Sequence, residues 1–372
     1  MKRIKAAVVG AGRLGGFHAQ KLSAHPRVEL VAVADPVPEQ RNRVAAECGT
    51  RPVADHRPLI GQIDAAVIAA PTSLHHRLGM ELVGAGVHLL VEKPICSTLA
   101  EADELVEAAR RRGVVLQVGH VERFNPAFAA ATAHTPEPKY VEAVRAGGFT
   151  FRSTDVGVVL DLMIHDLDLV LSLVRSPVRR VRALGLSVLG GHEDVANARL
   201  EFECGAVANL SASRVSHAPA RWMNVWSRAG FAGIDFAART ATLVKPSDTL
   251  RKRQFDVDLL SPEQVEHYKQ HFAEEHLPVE RLEFEAIDAL AAEADDFVES
   301  ILTERSPRVD GAAGREALSV AAQILGRIAT HAWDDAPDGP VGPLATPRSR
   351  VIPAPHFRLA PSAAPTLRRE AG

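Results

Sequence analysis

The sequence predicts an α/β protein, with a doubly wound parallel sheet in its first third and an α+β domain with an open, mostly antiparallel sheet behind it. The first sheet is indicated by short apolar runs that alternate with amphipathic segments. The second is indicated by strand-like runs that are separated by short turns. The chain has 372 residues, of which 46% are hydrophobic, so it is long enough for two cores. We predict a first domain at 1–120, a second at 121–336 and a proline-rich tail at 337–372.

The apolar runs of the first domain are typical of parallel strands that are buried on both faces. We predict these strands at 4–9, 30–34, 65–70, 87–91 and 114–118. Helices are predicted between them at 16–24, 39–48, 75–85 and 99–112. Ser97 or Thr98 can cap the last of these helices, and three arginines at 110–112 suit its carboxyl end.

The pattern changes after about residue 119. A helix is predicted at 160–174, and strands follow at 181–189, 195–203, 206–212, 221–226, 234–236 and 241–244. Two further helices are predicted at 284–302 and 314–329. The last 36 residues contain eight of the 24 prolines and five arginines, which predicts an extended arm or a disordered end.

Bulk properties argue against several classes of protein. A net charge of −3 gives no general attraction to nucleic acid or to an anionic membrane. The three cysteines include no Cys-x-x-Cys pair, which favours reduced thiols over a disulfide framework or a zinc site. No signal-peptide pattern and no apolar run of membrane-spanning length is found. We therefore expect a cytoplasmic protein with neither a nucleic-acid nor a membrane partner.

The segment 10–15 reads Gly-Ala-Gly-Arg-Leu-Gly, directly after a predicted strand and at the start of a predicted helix. In this context Gly10 permits a tight turn, Gly12 lets the backbone approach a pyrophosphate, and Gly15 allows close packing of helix and strand. The first domain is therefore predicted to be a dinucleotide-binding Rossmann domain. Arg13 and Leu14, which lie in the same loop, are predicted cofactor contacts.

Asp35 ends the second predicted strand, 20 residues after Gly15. A carboxylate at this place can bind both ribose hydroxyls and repels a 2′-phosphate, so the predicted cofactor is NAD rather than NADP. Two alternatives stay open: Asp35 could only cap the next segment, or Arg41 and Arg43 could accommodate the phosphate of NADP.

Three more residues are candidate cofactor contacts because they lie after strands that end near the expected nicotinamide. They are Pro71, His75 and Glu92. Histidines at helix starts are commonly structural, so a purely structural role of His75 stays open.

The sequence Glu92-Lys93-Pro94 ends the fourth predicted strand, on the edge where such sheets bind ligands. Lys93 could hydrogen-bond a substrate hydroxyl or lower the pKa of a neighbouring base. The alternative is a surface ion pair in a turn.

Asp161, His165 and Asp168 are spaced by four and three residues, which predicts that they share one face of a helix. Oxidation of an alcohol needs a base for the hydroxyl proton, and His165 suits this role because its ordinary pKa lies near working pH. Asp161 could orient the imidazole or bind a neighbouring hydroxyl. A solvated polar face, a core histidine and a metal site are the alternatives, although no further ligand set supports a metal.

These motifs, in this order, resemble the glucose-fructose oxidoreductase/inositol dehydrogenase/rhizopine catabolism (Gfo/Idh/MocA) family over nearly the whole chain up to about residue 336. The resemblance implies a Rossmann domain and a second domain whose open sheet often makes oligomer contacts, hence a homo-oligomer, dimeric or tetrameric. In that family the lysine assists catalysis, and the helix aspartate and histidine contact sugar hydroxyls. The resemblance thus makes Lys93, Asp161 and His165 the catalytic candidates, with His165 as the base.

A narrower resemblance lies in the segments 118–126, Val-Gly-His-Val-Glu-Arg-Phe-Asn-Pro, and 194–199, Asp-Val-Ala-Asn-Ala-Arg. They are similar to UDP-N-acetylglucosamine 3-dehydrogenases, which implies NAD-dependent oxidation of a sugar-nucleotide hydroxyl to a ketone. Arg123, Asn125 and Asp168 are then candidates for substrate binding.

Two other functions stay open at this point. One is an NAD-dependent inositol or free-sugar dehydrogenase, and the other is a sensor that binds NAD without catalysis. The presence of Lys93, Asp161 and His165 together favours catalysis, because a sensor needs no base.

Overall fold

The computed structural model of the chain describes residues 3–151, 156–285, 288–334 and 338–345. Six strands form the first sheet: β1 (Ile4–Val9), β2 (Val28–Ala34), β3 (Arg51–Val53), β4 (Ala65–Ile68), β5 (His88–Glu92) and β6 (Leu116–Gly119). All neighbours are parallel, in the order β3-β2-β1-β4-β5-β6. The order reverses between β1 and β4, which is where doubly wound sheets bind ligands at their carboxyl edge.

Four helices cover both faces of this sheet: α1 (Arg13–Ala24), α2 (Pro38–Cys48), α3 (His75–Gly84) and α4 (Leu99–Arg112). Of the two predicted caps of α4, Thr98 is the one that is used. Its hydroxyl accepts a hydrogen bond from the Glu101 amide, and the Thr98 amide donates one to the Glu101 carboxylate. Gly113 ends the helix in the left-handed conformation.

Eight strands form the second sheet: β7 (Tyr140–Ala146), β8 (Val178–Leu186), β9 (Val195–Phe202), β10 (Val207–Ser213), β11 (Ala220–Ser227), β12 (Gly230–Asp235), β13 (Thr240–Val244) and β14 (Val279–Glu283). Their order is β14-β13-β12-β11-β7-β10-β9-β8, and only the pair of β7 and β10 is parallel. Along β7 and β10, buried residues alternate with partly exposed ones. The sheet therefore has one buried and one open face, as predicted.

The remaining helices are α5 (Pro126–His134), α6 (Ile164–Val174), α7 (Asp248–Arg251), α8 (Pro262–His276), α9 (Ala289–Thr303) and α10 (Gly311–Ala329). Apolar residues of α5, α6 and α10 cover the buried face of the second sheet. Among the described residues, no helix has the length and apolar character that crossing a bilayer requires.

The last two helices return to the first sheet. Phe297 and Val298 of α9 pack into the core that also holds α1. At the start of α10, a Cβ on Gly314 would lie 2.5 Å from a methyl group of Val118, so glycine is what allows the helix to approach β6. Because α10 contributes residues to cores on both sheets, it ties the two halves of the molecule together.

The predicted fold class is confirmed, but six elements were missed. Strand β3 has three residues, too few to give a pattern, and β14 is a charged edge strand with the sequence Val-Glu-Arg-Leu-Glu. The other four are β7, α5, α7 and α8. The helix predicted at 284–302 begins at Ala289, since Asp288 caps it by accepting the Ala291 amide hydrogen at 3.0 Å.

The first residues of the predicted tail pack against the body of the protein. The indole of Trp333 donates to the Gly342 carbonyl at 2.9 Å, and the Ser187 amide donates to the Pro343 carbonyl at 2.8 Å. The segment 338–345 therefore packs at the end of β8. For this part of the chain an extended arm or a disordered end was predicted. Residues 346–372 lie outside the described residues, and the three domain boundaries stay predictions.

A carboxyl group is sealed between α9 and the first sheet. Glu293 is fully buried, and neither of its carboxyl oxygens has a hydrogen-bond partner in the described structure. Burial, with the charges of Glu92, Asp296 and Asp168, raises the pKa of Glu293 well above its ordinary value. The folded protein therefore keeps this group protonated at a pH where the unfolded chain has released the proton.

We expect Glu293→Gln to remove a component of the pH dependence of stability. A folded-state pKa above the unfolded value gives stability that is fully present below the unfolded pKa and is lost as pH rises towards the folded pKa. For one proton the slope is about 1.4 kcal/mol per pH unit. Denaturant unfolding between pH 5 and pH 8 should show that slope in the wild type and not in Glu293→Gln.

The matched control is Glu316→Gln on α10, where the glutamate is exposed. It should keep the wild-type slope. Equal slopes in the wild type and in Glu293→Gln would mean that Glu293 is ionised in the folded protein.

Candidate functional site

The loop after β1 brings three glycines to the carboxyl edge of the first sheet. Gly10 has a φ of +101°, and a Cβ there would lie 2.6 Å from the Ala69 backbone. A Cβ on Gly15 would lie 1.8 Å from the Gly10 carbonyl oxygen, whereas one on Gly12 would meet no atom within 4 Å. Two glycines thus let the loop close on itself, and the third leaves open space at the amino end of α1. The loop fits a dinucleotide pyrophosphate.

Asp35 is buried at the end of β2 and is held on both sides. Its carboxylate accepts hydrogen bonds from the amides of Ala11 at 2.7 Å and Val37 at 2.8 Å. Arg41 donates to the carbonyl oxygens of Asp35 and Pro36, at 3.2 and 3.0 Å. The carboxylate is therefore fixed beside the glycine loop, where a ribose would lie.

A cleft of about 730 Å³, here called the cofactor cleft, opens beside this loop. Six predicted cofactor-binding residues line it: Gly10, Gly12, Arg13, Leu14, Asp35 and Pro71. The Arg13 guanidinium lies 5.6 Å from the ring centre of Phe17. Gly15 is not among the described residues that line the cofactor cleft. It lies behind them and packs against Gly10. Leu14 and Pro71 also line a second cleft, so the two clefts meet at these residues.

The second cleft, here called the substrate cleft, has about 560 Å³ and lies between the edges of the two sheets. Lys93, Asp161 and His165 all line it. The Lys93 ammonium donates to the Asp161 carbonyl oxygen at 2.8 Å and lies 3.5 Å from its carboxylate. The structure thus brings together the three predicted catalytic residues, from β5 and from the start of α6.

His165 lies at the edge of the cleft with part of its ring exposed, while its Nδ1 is buried and has no hydrogen-bond partner in the described structure. Burial, with the positive charges of Lys93 and Arg145, holds the pKa of His165 well below its ordinary value. The imidazole is therefore neutral at physiological pH, the state that a general base needs. Asp161 makes its described side-chain contact with Lys93, not with the imidazole.

The helical face predicted for Asp161, His165 and Asp168 is only partly formed. Residues 159–163 form a π-helical turn, and only 164–174 are α-helical, so the spacing of an ideal α-helix does not hold. Asp168 is not among the described residues that line the substrate cleft. Nor does the described structure arrange any group of three or more His, Cys, Asp or Glu side chains for a metal ion.

The other predicted substrate contacts lie behind the cleft. Arg123 donates to the buried carboxylate of Asp168 at 2.9 Å, and Asn125 caps α5 by accepting the Ala127 amide hydrogen at 3.0 Å. Neither Arg123 nor Asn125 is among the described residues that line the cleft. Their contacts support the cleft wall, and substrate binding by them stays a prediction.

Glu92 lines the substrate cleft and not the cofactor cleft. One carboxylate oxygen lies 2.7 Å from Nε2 of His18, and the other accepts the Lys93 amide hydrogen at 3.2 Å. Burial raises the pKa of Glu92, but the bond with His18 and the charge of Lys93 outweigh it and leave the pKa below its ordinary value. Glu92 is therefore an ionised carboxylate that holds the turn bearing Lys93.

His75 is buried outside the described walls of both clefts. Its ring nitrogens lie 2.8 Å from the Ala70 carbonyl oxygen and 3.0 Å from that of Pro94. These contacts connect the loop after β4 to the turn after β5. The structural alternative for His75 fits this geometry better than a cofactor contact does.

Sequence reasoning missed three arginines that line the substrate cleft, which are Arg145, Arg214 and Arg221. Arg145 on β7 and Arg221 on β11 are directly opposite each other in the antiparallel ladder. Both face Glu122, at 2.9 and 4.0 Å. Since β7 was not predicted, no signal placed Arg145 beside Arg221. Like charges at opposite positions destabilise a sheet unless an anion offsets them.

Comparison with known proteins gives a consistent picture. Residues 4–120 match the model of an oxidoreductase family with an NAD-binding Rossmann fold, and residues 127–232 match the GFO/IDH/MocA C-terminal domain. A UDP-N-acetylglucosamine 3-dehydrogenase from Acidithiobacillus ferrooxidans is 36% identical over 335 residues, which are 90% of this chain and 99% of that protein. Scyllo-inositol 2-dehydrogenase (NAD(+)) from Bacillus subtilis is 30% identical over 58% of this chain and 68% of its own length.

Solved structures agree with the fold. The crystal structure of the Acidithiobacillus ferrooxidans enzyme superposes with a TM-score of 0.76 at 35% identity and covers 88% of this chain and 98% of its own. Levoglucosan dehydrogenase in complex with NADH has a TM-score of 0.75 at 18% identity and covers 88% of this chain and 97% of its own. With the glycine loop, the Lys93 turn and His165 in place, this chain belongs to the GFO/IDH/MocA family of NAD-binding oxidoreductases.

Proposed function

We propose that this enzyme oxidises a secondary hydroxyl of a sugar nucleotide to a ketone, with C3 of UDP-N-acetylglucosamine as the substrate position. Similarity to a UDP-N-acetylglucosamine 3-dehydrogenase over nearly the whole chain supports this substrate. Similarity to an inositol dehydrogenase keeps a free polyol as the alternative.

The observation that carries the choice is the pair of arginines at the mouth of the substrate cleft. About half of the Arg221 side chain is exposed, and its described ion pair with Glu122 is long, at 4.0 Å. Arg145 is buried and bound to Asp166 and Glu122. A diphosphate offers the negative charge and the oxygen acceptors that such a pair binds well. A neutral polyol offers no negative charge.

The chemistry follows from the three residues that meet in the cleft. When bound in the cofactor cleft, NAD supplies a nicotinamide that accepts a hydride. His165, neutral and reaching the cleft, accepts the hydroxyl proton. Lys93, held by the Asp161 carbonyl, donates a hydrogen bond to the substrate oxygen and stabilises the negative charge that develops there. Asp161 keeps the ammonium in position and lies where a neighbouring hydroxyl can bind.

We propose NAD as the cofactor in preference to NADP. Asp35 is fixed beside the glycine loop, where its charge repels a 2′-phosphate. Arg41 is engaged with backbone carbonyls, and Arg43 lies 3.1 Å from the carboxylate of Glu47.

A cytoplasmic homo-oligomer, dimeric or tetrameric, completes the proposal. The open face of the second sheet supports it, because Tyr140 and Phe231 pack on either side of Trp226, with ring centres 5.1 and 5.0 Å from that of Trp226. An aromatic row on an open sheet face is typical of a protein interface.

We expect Asp35→Ser to lose the preference for NAD. The wild type should show a higher kcat/KM with NAD than with NADP. The variant should reduce that ratio by about tenfold or more, which corresponds to about 1.4 kcal/mol. Steady-state kinetics with both cofactors measures it. A wild type that prefers NADP would contradict the assignment of Asp35.

We expect the pH profile of kcat/KM to reflect His165. Because the imidazole acts when neutral and its pKa is depressed, the rate should stay level through neutral pH and fall only well below pH 6.5. His165→Ala should lose a factor of roughly 100 or more in kcat together with this acidic limb. If the limb persists in the residual activity, another group is the base, and Lys93 is the first candidate.

We expect Arg221→Gln to weaken binding of a sugar nucleotide and not of a free sugar. Loss of a charge-assisted hydrogen bond should raise KM for UDP-N-acetylglucosamine by about tenfold to a hundredfold. The matched control is Arg228→Gln, which removes an exposed arginine beyond the other end of β11. Faster turnover of inositols than of UDP-sugars by the wild type would support the free-polyol alternative.

A further inference from the structure

A second histidine lies buried behind His165 and has no role in the steps above. His120 follows β6 and is 1% exposed. Neither of its ring nitrogens has a hydrogen-bond partner in the described structure, and the same is true of Nδ1 of His165. The two rings are perpendicular, with their centres 6.4 Å apart. Three buried, unpartnered nitrogens therefore lie on two neighbouring rings.

The distance between the rings suits one water molecule. It is too long for a direct bond between ring nitrogens, and a water that bonds to both spans two hydrogen bonds of about 2.8 Å each. Leaving a buried polar atom unpaired costs about 1–3 kcal/mol, and buried waters normally satisfy such atoms. Polar groups on both sides thus make this gap suitable for an ordered water.

Two carboxylates, those of Glu92 and Asp168, lie near enough to His120 to act on its charge. Gly119, the preceding residue, is so close to Glu92 that a Cβ on it would lie 3.0 Å from a carboxylate oxygen. The charges that act on His120 come from α6, from the end of β5 with its turn, and from the segment after β6, and are those of Asp168, Lys93, Arg123 and Glu92. Those that act on His165 are Lys93, Arg145, His120 and Arg221. The charges around His165 are therefore cationic, whereas anions and cations balance around His120, which favours movement of a proton from His165 to His120.

We propose that His120 is a proton relay, which takes the substrate proton from His165 through one buried water. The proposal rests on the alcohol oxidation proposed above. The substrate O–H bond breaks, and its proton binds the cleft-facing Nε2 of His165. The proton on Nδ1 passes to the water, and the water gives one of its own protons to a ring nitrogen of His120. His165 is then neutral again, with its proton on the other nitrogen.

From His120 the proton passes to the Glu92 carboxylate, which is ionised and bonded to His18, and Glu92 becomes protonated. Burial holds the pKa of both His120 and His165 below the ordinary histidine value, so neither ring retains the proton. The relay thus moves the proton from the reacting hydroxyl to the Glu92 carboxylate, at another place on the wall of the cleft.

The test compares His120→Phe and His120→Gln with the wild type, on whichever alcohol the wild type oxidises. Phe keeps the ring shape, and Gln keeps hydrogen bonding but cannot pass on a proton. Both variants should lower kcat by about tenfold or more, leave both KM values within about twofold, and increase the solvent deuterium isotope effect on kcat. Wild-type kcat and isotope effect in His120→Gln would overturn the proposal.

The matched control is His276→Phe. His276 is also buried and also has an unpartnered ring nitrogen, but it lies at the end of α8 among Phe255, Tyr268 and Phe272. This variant should keep the wild-type kcat and isotope effect. If it reproduces the effects of the His120 variants, those effects are structural and the relay is refuted.

A second readout needs no turnover. A high-resolution crystal structure of the cofactor-free protein should show a water within hydrogen-bond distance of both rings, and a dry gap would overturn the proposal. The substrate assignment can fail separately. If an inositol is oxidised and UDP-sugars are not, the isotope effects are measured with the inositol, and the relay is tested without the nucleotide.

Discussion

The hydrogen bond from the Lys93 ammonium to the Asp161 carbonyl is the contact on which the site depends. Lys93 comes from the first sheet and Asp161 from the π-helical turn before α6, so the bond joins the two halves at the point where the clefts meet. Its acceptor is a backbone atom, which side-chain rotation cannot remove. The ammonium is largely shielded from water, so without this partner its lost solvation would not be compensated. The bond therefore fixes β5 relative to α6, and with it the place of His165.

The electrostatics of the substrate cleft follow from the way its arginines are anchored. Arg145 is held by Asp166 at 2.8 Å, and Arg214 lies 2.6 Å from the carboxylate of Asp194. These carboxylates lie behind the cleft and do not line it, whereas the guanidinium groups do. Burying an arginine costs much less when a carboxylate is bound to it. The guanidinium groups thus lie at the cleft surface, and the carboxylates that compensate their charge lie behind them.

The sequence predicted correctly those site residues whose position depends on a single short segment. The glycine loop, Asp35, the Lys93 turn and His165 each lie beside an element that the apolar pattern reveals, and the order of those elements defines one edge of the sheet. Arg145 opposite Arg221 was not predicted because β7 was overlooked, although its polar and apolar residues alternate between Pro138 and Gly147 as those of a half-buried strand do. The sequence also placed Asp168 in the cleft, since a spacing of three and four residues assumes an α-helix. The π-helical turn and the bond to Arg123 are tertiary features that no local spacing encodes.

Substrate selection and base strength share the same charges. Lys93, Arg145 and Arg221 help to depress the pKa of His165, so in the free enzyme the imidazole is neutral but is a weak base. In the function that we propose, a diphosphate at Arg145 and Arg221 would offset part of that positive charge, and the pKa of His165 would then rise towards working pH. A general base is most effective when its pKa lies near that pH. A neutral polyol binds without this offset and meets a weaker base. The arginine pair thus favours a sugar nucleotide twice, first in binding and then in the proton transfer that follows.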